Sequence, residues 1–181
     1  YFHQPQNANS ISADFVHSLF LSQDQILWVG TYGGGLNLYD PLANKFEHFS
    51  SDPEKLNGLS NNLVFSISPG VDGAIWLATY GSGLDRFDPD SATFTNFRHD
   101  SNDMGSLRSD YLWSVLAAQD GSVWVGTIEG LDRLDPVSGK FVHYPHDSQS
   151  SGDLPGAAIY NVYEDRQGII WVGTNNGLAK Y

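Results

Sequence analysis

Short apolar-rich runs, each cut off by Gly, Asp, Asn or Pro, follow one another along the whole chain. In the stretch 63–98, Leu63 to Ser68 is the first such run and Pro69-Gly70-Val71-Asp72-Gly73 a turn cluster. Ala74 to Thr79 is rich in aliphatic and aromatic residues, and Gly81-Ser82-Gly83 forms a second turn. Leu84 to Phe87 is closed by Asp88-Pro89, and Thr93 to Arg98 sets Phe94, Asn96 and Phe97 among polar residues. Runs of this length and composition between turn residues predict four short strands, here A to D. Asp72-Gly73 and Asp120-Gly121 suit tight A–B hairpins, because Gly accepts positive φ and Asp bonds its own backbone. Proline after Asp removes a ladder donor and stops strand C. Pro or Gly interrupts nearly every window of helical length, so helix content is expected to be close to nil.

The pattern repeats. Trp28-Val29-Gly30-Thr31 recurs as Trp76-Leu77-Ala78-Thr79, Trp124-Val125-Gly126-Thr127 and Trp171-Val172-Gly173-Thr174, at spacings of 48, 48 and 47. Gly35-Leu36, Gly83-Leu84, Gly130-Leu131 and Gly177-Leu178 keep the same ruler, as do Asp40-Pro41, Asp88-Pro89 and Asp135-Pro136. Several independent markers in one register define a true internal repeat. Four-stranded antiparallel units of 47–48 residues read as blades of a β-propeller, so the expected fold is all-β with about four blades in one domain. The repeats run over residues 14–61, 62–109, 110–156 and 157–181. Trp28, Trp76, Trp124 and Trp171 are the expected wedges between neighbouring sheets. Aligning Val16 with Val64 puts Tyr1 opposite Phe49 at the end of a strand D. The chain is thus expected to be an open segment of a larger ring. In the alternative, residues 1–4 serve as the outer strand of the last blade and close a small ring.

Leu63-Val64-Phe65-Ser66-Ile67, followed by Asp72-Gly73-Ala74-Ile75-Trp76-Leu77-Ala78-Thr79 and Gly83-Leu84-Asp85-Arg86-Phe87-Asp88, closely resembles the two-component regulator propeller repeat. Asp103-Met104-Gly105-Ser106-Leu107 and Asn57-Gly58-Leu59-Ser60 match its lead-in. The resemblance implies seven-bladed rings, often in tandem, in the periplasmic sensor region of membrane-anchored bacterial hybrid histidine kinases or diguanylate cyclases. Two copies depart from the pattern: the fourth has Arg166-Gln167-Gly168, and the first has Asp24-Gln25 without glycine, where a looser hairpin is expected.

Composition narrows the function. The 181 residues carry 21 acidic against 9 basic groups, a net charge of −12, which opposes nucleic-acid binding. Cysteine is absent, so no disulfide framework exists. His48, Asn96 and His143 occupy equivalent strand D places, with His99 and His146 just beyond; on an outer strand these are expected to be solvated and too far apart to share a metal. His17 lies nearer the axis without partners. The Asp-Gly turns lack the alternating oxygen donors of a calcium site. Ser18, Ser66 and Ser114 recur as repeat positions, and no nucleophile motif is present. Neither metal nor cofactor nor catalysis is therefore expected.

Binding is the better expectation. The D–A and B–C loops of a propeller emerge on one face around the axis. Tyr32 and Tyr80 offer rings suited to stacking on a sugar, unless they pack on the adjoining blade, and Glu129, Asn175 and Asn176 vary the B–C loops. Asp14, Asn62 and Asp110 hold equivalent D–A positions and are candidate acceptors, unless they cap their own turns. The reading is a non-catalytic sensing segment for a small molecule or oligosaccharide. An interaction scaffold that self-associates through exposed blade edges is the alternative, and a lyase-like enzyme is a third reading.

Overall fold

The computed structural model describes residues 1–135, 137–144, 146 and 154–181, so Pro136 of the third Asp-Pro pair lies outside the described residues. The first sheet orders β1 (Val16–Leu21), β2 (Leu27–Thr31), β3 (Gly35–Asp40) and β4 (Lys45–Phe49). The second orders β5 (Val64–Pro69), β6 (Ile75–Thr79), β7 (Gly83–Asp88) and β8 (Thr93–Phe97). The third contains β9 (Leu112–Ala117), β10 (Val123–Thr127), β11 (Gly130–Asp135) and β12 (Lys140–Tyr144). The last sheet has three strands, β13 (Ile159–Glu164), β14 (Ile170–Thr174) and β15 (Gly177–Lys180). All pairs are antiparallel, and no helix occurs among the described residues.

Turn chemistry ends the strands where expected. The Asp40 carboxylate accepts the N–H of Leu42 and Ala43, and Asp88 accepts those of Asp90 and Ser91. These backbone bonds hold the Asp88 carboxyl below its ordinary range. The first A–B hairpin is not looser than the others, which corrects the expectation. Its Ser22 N–H bonds the Ile26 carbonyl at 2.9 Å, as Gly70 bonds Ala74 at 2.7 Å. Gln25 itself takes φ 64°, where Gly73 has 83°.

Neighbouring blades share a core built around the repeated tryptophans. Trp28 packs with Ile75, Leu77, Phe87 and Phe94 of the second blade; Trp76 packs with Val123, Val125, Leu134 and Phe141 of the third. Trp124 does the same with Ile170 and Val172. Each ring removes 150–250 Å² from water, which stabilises by roughly 4–6 kcal/mol at about 25 cal/mol per Å². A leucine from each incoming D–A connection, Leu59, Leu107 and Leu154, seals the same three interfaces. Trp171, in the last of the four sheets, is only half-buried, and Leu178 and Tyr163 of the same sheet are 64% and 61% exposed.

Residues 1–4 form no outer strand of the last blade. Tyr1 packs on Tyr39 and Phe46 of the first sheet, just as Phe49 packs on Phe87 and Phe94 of the second. His3 donates its N–H to Asp14, and its Nδ1 lies 2.8 Å from the Ile11 carbonyl. This is the geometry of a D–A connection entering blade one, so the four sheets form an open arc.

A buried polar side chain on strand C anchors each complete blade's D–A connection. Asn37 accepts the Ser12 N–H, Asp85 accepts the Ser60 N–H and hydroxyl, and Asp132 accepts the Arg108 N–H. Strand D joins in: Asn96 donates to Asp85, and His143 Nδ1 lies 2.7 Å from Asp132. His48 Nε2 bonds the Ser10 carbonyl. His99 and His146 hold the Leu107 and Leu154 carbonyls. These histidines are therefore fasteners of the D–A loops, which corrects the reading of them as merely solvated edge groups.

Asp85 lacks a cationic hydrogen-bond partner, and burial pushes its carboxyl up to about 6 from the ordinary 3.8. A raised folded-state value means the folded chain binds the proton more tightly than the unfolded one. Stability from this group is full below about pH 4 and is lost as pH rises through about 6, by up to about 3 kcal/mol. Asp85→Asn is expected to flatten unfolding free energy across that window, measured by urea titration at a series of pH values. A slope unchanged by the substitution would place the linkage elsewhere.

Candidate axial binding site

Each innermost strand carries a β-bulge. The pairing shifts between Val16 and Ser18, between Val64 and Ser66, and between Ile159 and Asn161, and Leu112 and Ser114 flank the same irregularity in the third blade. The skipped residues are His17, Phe65, Trp113 and Tyr160. A bulge re-aims its extra side chain off the sheet faces, and on the inner strand that direction is the axis. The four rings form a continuous arc. His17 stacks on Phe65 at 4.1 Å, Phe65 meets Trp113 edge-on at 5.2 Å, and Trp113 meets Tyr160 at 5.7 Å.

The B–C loops extend this arc. Tyr80 also stacks on Phe65 and touches Trp113 and Tyr111, while Tyr32 lies near Phe15, His17 and Phe65. Phe65 is buried at 8%, but Tyr32, Tyr111 and Tyr160 remain about half exposed, which leaves ring surface for a guest. The arc borders an axial cavity of about 460 Å³, also lined by Ser18, Ser66, Ser114 and Asn161. Ser18 and Ser114 hold buried hydroxyls with no hydrogen-bond partner. Their neighbours explain why. A Cβ on Gly30 or Gly126 would lie 2.4 or 2.3 Å from those hydroxyls, whereas the second blade has Ala78 there and Ser66 turns instead to the Val115 N–H at 3.2 Å.

The residues singled out in the sequence divide between roles. Tyr32 and Tyr80 belong to the axial arc. Asp14, Asn62 and Asp110 spend their side chains on the N–H groups of His3, Ser51 and His99, so they cap chain turns. The Asn62 and Asp110 carbonyls also bind the preceding blade's B–C loop through Gly33, Gly35, Gly81 and Gly83. Asn175 and Asn176 tie the last B–C loop to Ala158 and Pro155. Glu129 is exposed on its own loop, in a crevice away from the axis. The bulged aromatics were missed as a set, although one follows the first apolar residue of strand A in every repeat at spacings of 48, 48 and 47.

Among the described residues no Asp, Glu, Lys or Arg joins His17 in lining the axial cavity, and no group of three or more His, Asp or Glu able to hold a metal occurs among them. The site offers ring faces and small neutral hydrogen-bonding groups. That chemistry suits a neutral guest bound by stacking and by a few hydroxyl contacts.

Residues 153–176 match the family model described as two component regulator propeller. The extracellular domain assigned to the hybrid two component system BT3049 of B. thetaiotaomicron is similar over 99% of this chain, at 26% identity and a TM-score of 0.84. That of BT4673 from the same organism is similar over 95%, at 23% identity and a TM-score of 0.77. The chain spans 24% and 22% of those two chains. A catalytically inactive virginiamycin B lyase of Staphylococcus aureus, with quinupristin, shares the fold over 94% of this chain and 55% of its own, at 16% identity and a TM-score of 0.63. No curated protein matches the chain.

Proposed function

We propose that this chain, whose fourth repeat is a two-component regulator propeller repeat, is a non-catalytic sensing segment of an extracytoplasmic, periplasmic signalling domain. Its axial site takes a small molecule or oligosaccharide. The arc of bulged rings His17, Phe65, Trp113 and Tyr160 carries this reading, because all four inner bulges bring a ring to the same cavity. The likeness to the extracellular domain of BT3049 supports the setting. Catalysis has less support: the Asp132–His143 pair is committed to the D–A fastening, with His143 Nε2 also facing the Met104 carbonyl.

A second reading, self-association as a scaffold, is favoured by the uncovered Trp171, Tyr163 and Leu178. One experiment separates the two. Screening neutral saccharides and metabolites by thermal shift is expected to find a compound that raises Tm, since a ligand of the native state must stabilise it. Trp113→Ala should abolish that shift. Absence of any shift, together with concentration-dependent mass in sedimentation, would replace sensing by the scaffold reading.

A further inference from the structure

The repeats act as internal controls, because a position that one blade fills with a charge and the others fill with Ser, Asn or Gly does not need that charge to fold. The third blade departs in this way at two places that meet, Arg108 and Glu129. Arg108 stands where the first two D–A connections have Ser12 and Ser60. Its strand C and D partners are Asp132 and His143, where the first blade has Asn37 and His48 and the second has Asp85 and Asn96. Its B–C loop holds Glu129, where the first two have glycines and serine. Arg108, Glu129 and His143 line one crevice of about 390 Å³, with the exposed Met104 beside them.

Within that crevice Arg108 and His143 both pair with Asp132, whereas Glu129 has no ion pair among the described residues. Asp132 is fully buried and already receives His143 Nδ1 at 2.7 Å and the Arg108 backbone N–H at 2.8 Å. The guanidinium stands 3.6 Å away, and its buried Nε has no hydrogen-bond partner. It lies along the Gly130 backbone beside Glu129, yet no ion pair joins Arg108 to Glu129 among the described residues. Guanidinium donors without an acceptor call for a carboxylate. A simple anion would meet Glu129 and Asp100 on the same walls and a chain of net charge −12.

We infer that this crevice is a second binding site, distinct from the axis, for a small zwitterion such as a free amino acid, its carboxylate on Arg108 and its ammonium on Glu129. Met104 would lie beside the ligand's side chain.

The test offers the twenty amino acids singly to the 181-residue chain and reads Tm. At a concentration about tenfold above Kd, a binding amino acid is expected to raise Tm by roughly 3–6 °C. Its decarboxylated amine and its N-acetyl form should give no shift. Arg108→Ser, the residue that serves at this register in the first two blades, and Glu129→Gln should each remove the response while the chain still unfolds cooperatively. Trp113→Ala should retain it, which keeps this site separate from the axial one. No shift with any amino acid, an equal shift with the amine or N-acetyl form, or a shift surviving Arg108→Ser would overturn the assignment.

Discussion

Replacing Trp76 by alanine is expected to destabilise the whole chain by about 3–5 kcal/mol, the range for large aromatic truncations in a packed core. The ring is 3% exposed and wedged between the second and third blades, against Val123, Leu134 and Phe141. Ordinary domains of this size hold roughly 5–15 kcal/mol in total, so one such loss removes much of the margin and uncouples two blades at once. Trp171→Ala has the same chemistry in an uncovered position. There the indole donates to Asp165 at 2.8 Å and Lys180 lies over the ring, and the expected cost is only about 1 kcal/mol. Urea unfolding of both variants decides the matter: similar losses would mean that the repeated tryptophan stabilises its own sheet rather than the junction with the next.

Gly83→Ala is expected to cost at least about 3 kcal/mol, through left-handed backbone strain and overpacking together. Gly83 has φ +82°, and a Cβ there would come within 2.2 Å of the Phe97 carbonyl oxygen. The surrounding chain cannot give way easily. The Gly83 N–H bonds the Asp110 carbonyl at 3.0 Å, and its own carbonyl accepts the Thr79 hydroxyl at 2.7 Å. Gly73 has nearly the same φ, +83°, with nothing within 4 Å of the added carbon. Gly73→Ala should therefore show the conformational cost alone, about 1 kcal/mol. If thermal or urea unfolding gives the two alanine variants equal stability, crowding by Phe97 is not what reserves position 83 for glycine.

Strand positions, hairpin turns and the blade period were legible in the residues because each depends on short-range chemistry repeated at a constant interval. Asp-Gly turns, Asp-Pro strand ends and one Trp per period are local signals, and their recurrence implies neighbouring sheets of the same kind. Register alone put Tyr1 opposite Phe49, and although Tyr1 lies in no strand its ring packs on Tyr39 and Phe46 as Phe49 packs on Phe87 and Phe94.

What brings residues of different repeats to one point could not be read this way. A bulge is a relation between two paired strands, and nothing within strand A marks His17, Phe65, Trp113 or Tyr160 as the skipped residue. Only the arrangement of successive sheets turns those side chains into one axial arc. The same holds for the loop fasteners. His143 and Asp132 are 11 residues apart in sequence but opposite in the ladder, and Arg108 arrives from an earlier connection. Sequence alone determined what each blade is; tertiary structure decided which side chains meet, because convergence depends on strand register and blade order acting together across the fold.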